Sequence, residues 1–89
     1  MEEHDEIVRR YFPEGLEGGL KNFPRKEKQK LVVLREITKN LIDDQIYDEK
    51  EINKILKAVY ADFVTLRRYL IEYGFLDRKA DGSQYWLKK

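Results

Sequence analysis

"TLRRYLIEYGFLDRKADGSQYW", residues 65–86, decides the fold of this chain. Its first half places Leu66, Leu70 and Tyr73 three and four residues apart, the spacing of one helix face. Gly74 follows, where a left-handed C-cap ends a helix. Beyond it the period drops towards two in "FLDRK" and "QYWL", both rich in aromatic and aliphatic residues. "ADGS" separates the two runs, and Asp-Gly in such a place signals a hairpin. The stretch predicts a helix from near Asp62 to Tyr73 and a β-hairpin around Asp81 and Gly82.

Working upstream, "DEKEINKILKAVY" carries a helix start, with Asp48 as cap and Glu51 three residues later as its reciprocal partner. Ile52, Ile55, Leu56 and Val59 form its buried face. Only a short join around Ala61 separates this helix from the next, so the two read as a helix-turn-helix. "QIY", ending at Tyr47, is a very short strand that can close a three-stranded sheet with the hairpin. A long helix from Arg25 presents Leu31, Leu34, Ile37 and Leu41 as one stripe, with Pro24 at its start. Ile7, Val8, Tyr11 and Phe12 outline a further helix, ended by Pro13 and Gly15. The glycine-rich "EGLEGGL" and an extended piece from Leu20 to Phe23 connect them. The fold class is α+β: a winged helix-turn-helix with a three-helix core, a C-terminal β-hairpin wing and an extra N-terminal helix. Residues 1–20 form the N-terminal helical extension and connector, and residues 21–89 the winged-helix domain.

Three ordered blocks, "FPRKEKQKLVVLREI", "YDEKEINKIL" and "DFVTLRRYLIEYGFLDRKADGSQYW", resemble the bacterial family catalogued as domain of unknown function 2087. The resemblance runs from Phe23 to Trp86. It implies a winged-helix-like fold that occurs alone or attached to transcriptional regulators, and it carries over no functional residues. Members often have Tyr-Thr-Glu where this chain has Tyr47-Asp48-Glu49; threonine and aspartate both cap helices, so the fold is not threatened.

A length of 89 residues is one domain. Cysteine is absent, so neither disulfides nor thiolate metal sites can staple the core. No apolar run approaches the ~20 residues of a membrane span, and "MEEHDE" is the opposite of a basic signal-peptide head. The chain reads as soluble and cytoplasmic, with no membrane partner. Its net charge of +1 hides an uneven distribution: residues 1–20 carry −4, residues 21–30 carry +4, residues 31–76 carry −1 and residues 77–89 carry +2.

Enzyme chemistry has little to work with. The single histidine, His4, stands near the N-terminus, far from any candidate nucleophile in sequence. The paired carboxylates Asp43-Asp44 and Glu49-Glu51 read as a polar loop and a capping turn. No glycine-rich loop links a strand to a helix, and metal-ligand spacing is lacking, so neither catalysis nor a cofactor is expected.

Nucleic-acid binding is the stronger expectation, because the last helix of such a core enters the major groove while the wing touches phosphate. At 100° per residue from Phe63, Arg68 falls with Thr65 and Glu72 on the solvent face, whereas Arg67 falls on the shoulder beside Phe63 and Ile71. Thr65 and Arg68 are therefore the candidate readers of double-stranded DNA. Lys79 in the wing and Arg25, Lys26, Lys28 and Lys30 before the long helix are candidate phosphate contacts, joined by the tail lysines Lys88 and Lys89. Arg67 reads as support, paired with an acid, for which Asp62 and Asp77 are the candidates, or with backbone carbonyls at an adjacent turn. Arg78, Asp81 and Gly82 read as wing structure, through a salt bridge or a turn hydrogen bond. The alternative is a protein-interaction winged helix, docking a partner or forming a homodimer through the N-terminal helix, and binding no DNA.

Overall fold

The structure, a computed structural model, describes residues 2–88. In chain order it has α1 (Glu2–Tyr11), α2 (Glu27–Ile37), α3 (Glu49–Val59), α4 (Phe63–Glu72), β1 (Leu76–Arg78) and β2 (Tyr85–Leu87). Two 3₁₀ turns, Leu16–Gly18 and Thr38–Asn40, follow α1 and α2. This is an α+β layout of winged-helix type: α2, α3 and α4 form the trihelical core and the hairpin β1–β2 follows α4 directly. No helix among the described residues is long and apolar enough to cross a membrane.

Local chemistry sets the helix starts. Asp48 accepts from the Glu51 N–H at 2.8 Å, and Glu51 accepts from the Asp48 N–H at 2.9 Å, so the capping box of α3 is complete. Asp62 accepts from the Thr65 N–H at 3.3 Å and caps α4 more loosely. Between α3 and α4 the chain spends only residues 60–62, which holds the two helices in the helix-turn-helix relation.

Val33, Leu34, Ile37, Ile52, Leu56, Leu66 and Leu70 are fully enclosed at the centre. The stripe on α2 differs from the expected one. Leu31 is 38 % exposed, while Val33 is at 0 %. α2 lies against α1 and also shares one core with α3 and α4, and a single stripe at three- and four-residue spacing serves only one neighbour. The helix also starts two residues later than Arg25, at Glu27, and passes into a 3₁₀ turn before Leu41. On α3, Ile55 is half-buried and not part of the enclosed set.

α1 lies on α2. Ile7 and Phe12 are buried in the common core, and the Tyr11 hydroxyl donates to Gln29 Oε1 at 2.9 Å. The segment from Leu20 to Phe23 is bent, with no strand. It is instead fastened to the end of α3, where the Leu20 N–H donates to the Val59 carbonyl at 2.7 Å. That bond satisfies a carbonyl the helix end leaves open. Gly19 makes the approach possible: its φ is +81°, and a Cβ there would stand 2.9 Å from Val59 O. Gly19→Ala is expected to cost at least about 1 kcal/mol, seen as a lower urea midpoint of the full chain. An unchanged midpoint would mean that the connector stands clear of α3.

The sheet is minimal. β1 and β2 pair antiparallel, with Leu76 opposite Leu87, Asp77 opposite Trp86 and Arg78 opposite Tyr85. Tyr47 adds one bridge to Tyr85, exchanging both backbone hydrogen bonds at 2.8 Å, so the third strand is a single residue pair. The Tyr47 hydroxyl then accepts from the Ile42 N–H at 2.9 Å and holds the preceding loop. Tyr85 points into the core, and Trp86 lies on the sheet's outer face. The wing turn holds the four residues "ADGS" that separate the two runs. Lys79 and Gln84 still pair, the Gly82 N–H donates to the Lys79 carbonyl at 2.9 Å, and only Gly82 has positive φ. Asp81 keeps ordinary backbone angles, so the loop spans residues 80–83 and Gly82 makes the left-handed step.

Candidate nucleic-acid interface

The two arginines of α4 occupy different surroundings. The Arg67 side chain is 18 % exposed and turns towards α3 and the wing. It donates to Asn53 Oδ1, lies 3.9 Å from Glu49 Oε1, and places its guanidinium 5.5 Å from the centre of the Tyr85 ring. Neither Asp62 nor Asp77 is its partner, because the shoulder position aims it across the helix-turn-helix, where α3 presents Glu49 and Asn53 one turn apart. Arg67 thus ties α3, α4 and β2 together.

Arg68 is exposed, next to exposed Glu72. Thr65 is half-buried, and Val64, 46 % exposed, joins the outer face in its place. The rotation has a cause. Thr65 is one turn before Tyr69, and that flank is covered by Phe23, whose ring stacks on Tyr69 at 5.0 Å and 11°. Val64, Arg68, Ile71 and Glu72 of α4 face Arg78 and Tyr85 of the wing across a groove of about 270 Å³.

In the wing, Arg78 donates from Nη1 to the carbonyls of Lys79 and Ala80, at 3.2 and 3.1 Å, and so braces the loop. Asp81 makes no bridge to it. The Asp81 carboxylate accepts from the Ser83 hydroxyl and N–H, at 2.7 and 2.9 Å, and these bonds hold its pKa below the usual value. Lys79 is exposed at the loop.

The basic residues ahead of α2 and in its first turn divide. Lys28 pairs with Glu3 of α1 on the surface, a bond worth at most about 1 kcal/mol. Lys30 lies 5.1 Å from the centre of the Tyr69 ring. Its neighbour Glu27 accepts from the Tyr73 hydroxyl at 2.8 Å, and that bond raises the Tyr73 pKa above its ordinary 10.0. Lys30 and Arg78 therefore flank the outer face of α4 from opposite sides. Arg25 and Lys26 line a second groove with Arg10 and Lys21. Lys88 is exposed just after β2, and Lys89 lies outside the described residues. His4 stands within the first turns of α1.

The model of a family described as an uncharacterised protein conserved in bacteria matches residues 19–87. The match is wider at both ends than the three sequence blocks and takes in Gly19 and Leu20, the residues docked on α3. No curated protein and no solved structure matches the chain.

Proposed function

The chain belongs to DUF2087, the uncharacterised family conserved in bacteria, and from that premise we propose a small DNA-binding or transcription-associated accessory module with no catalytic step. One observation carries the reading: the outer face of α4 is exposed beside the wing and bordered by Arg68 and Arg78 on one side and Lys30 on the other. α4 would enter the major groove. Arg68 would reach a base edge or phosphate, and Lys79 and Arg78 would follow the backbone. Glu72 on the same face opposes phosphate, so modest affinity is expected.

Titration of a fluorescent duplex at low and moderate salt tests this. Binding should weaken with salt, with a log–log slope of roughly −0.9 per phosphate contacted. Arg68→Ala should weaken binding by about 1–3 kcal/mol if it reads a base, and leave the thermal midpoint near that of the parent chain. No binding at low salt overturns the reading.

A protein-docking role is the second reading, and a different surface favours it. On the outer face of the sheet, Ile46 is 57 % exposed and borders a groove of about 620 Å³ with Trp86 and Leu87. An aromatic beside exposed aliphatic surface is the composition of a binding hot spot. A homodimer through α1 has less support, since Ile7 and Phe12, the residue just after the helix, are already buried in the common core.

A further inference from the structure

Across the turn at Pro13–Gly15 and the 3₁₀ turn Leu16–Gly18, the end of α1 stands beside the connector that leads into α2. The groove between them measures about 430 Å³, and Arg10, Lys21, Arg25 and Lys26 stand on its walls with no carboxylate among the lining residues. All four cations are exposed. The ion pairs among the described residues take Lys28, Lys39 and Arg67, and none of these four. The first turn of α2 opens at the same place: Lys26 is its N-cap, and no side chain caps the helix. The helix end adds positive potential where the cations already gather.

Exposed cations gain little from one small anion, about 1 kcal/mol or less per pair. A polyanion is different, because each phosphate contact releases condensed counterions. The aromatic rings nearby do not offer base stacking. Phe23 is stacked on Tyr69, and Tyr11 is held by its hydroxyl to Gln29. The groove is thus equipped for a backbone and not for unstacked bases, which favours a duplex over a single strand. Its position agrees, since Phe23 forms both its wall and the cover of the Tyr69 flank of α4.

We propose that the groove formed by α1 and the connector is a second phosphate-backbone contact for duplex DNA, with Arg10 and Lys21 acting beside Arg25 and Lys26. This rests on the DNA-binding reading and extends it to the N-terminal segment. A duplex seated on α4 would continue past Lys30 and Phe23 to reach these four side chains. The extension then contributes affinity without base selection, and α4 contributes the selection.

The test is a salt series of duplex titrations on the full chain, comparing parent, Arg10→Ala/Lys21→Ala and Arg68→Ala. The double variant should lower the magnitude of the salt slope by roughly 1.8, two contacts at about 0.9 each, with no change in thermal midpoint. A parent-like slope in the double variant, while Arg68→Ala weakens binding, overturns the groove and leaves the α4 reading standing. A lowered slope in the double variant with no effect of Arg68→Ala supports the groove and overturns the role of α4. Failure of the parent chain to bind duplex at the lowest salt overturns both. Tighter binding of a single strand than of the duplex through the same two residues overturns the duplex assignment.

Discussion

Tyr85→Ala is expected to cost about 3–5 kcal/mol, a large share of the 5–15 kcal/mol that stabilises a domain of this kind. The Tyr85 side chain is buried, and its ring lies beneath the Arg67 guanidinium at the point where β2 meets α4. Its backbone forms the two hydrogen bonds to Tyr47, and alanine keeps those. The loss therefore isolates the ring. Urea unfolding should show a strongly reduced midpoint, whereas Tyr85→Phe, which retains the ring, should stay within about 1 kcal/mol of the parent. A parent-like midpoint for Tyr85→Ala would mean that the wing is not packed on the helical core, and the groove between α4 and Arg78 would lose its basis.

Arg67→Ala is the second large effect. It removes a charged hydrogen bond to Asn53, a cation–π contact with Tyr85 and a long ion pair to Glu49. The ion pair is discounted because Glu49 is 58 % exposed. The remaining contacts suggest a loss of about 2 kcal/mol. For a chain of this size that lowers the thermal midpoint by roughly 8–16 °C. Arg68→Ala, one residue along, should move it little. Equal midpoints for the two variants would overturn the division of labour between them. Arg67→Lys adds a check: a lysine keeps the charge but lacks the planar fork, so it should recover only part of the loss.

Much of the fold was legible because its signals are local. The Asp48–Glu51 box, the stop at Gly74 and the alternation around β2 each act within a few residues, and each stands where its spacing places it. The same holds for the single strand pair at Tyr47, which needed only an apolar residue ahead of a cap. What escaped depends on a second element. Val33 is enclosed and Leu31 exposed because α2 serves two neighbours, and periodicity along one helix describes only one of them. In the wing, the loop of residues 80–83 is the stretch that separates the two runs, and of the two readings the turn hydrogen bonds hold: Arg78 donates to two carbonyls, while Asp81 turns to Ser83.

The candidate interface divides in the same way. A helix wheel separated Arg67 from Arg68, since that is a property of one helix. It misplaced Thr65, whose flank is covered by a ring from Phe23, forty-two residues earlier in the chain. It also misassigned the partners of Arg67, which belong to α3. Arg10 and Lys21 were beyond reach for a related reason. Arg10 stands in the last turn of a helix whose net charge is acidic, and only the turns between Pro13 and Gly18 bring it to the basic connector. The +4 charge of residues 21–30 was the available hint, but a charge run does not say which of its members meet one another: Lys28 turned to Glu3 and Lys30 to Tyr69.

Trp86, the chain's one tryptophan, sits on the outer face of β2 opposite Asp77. Indole emission from this protein is therefore a report on the hairpin alone, while far-ultraviolet dichroism is dominated by the four helices. The molecule is labelled by its own composition: one optical signal follows the wing and another the helical core, so docking of the first on the second can be observed without attaching a probe.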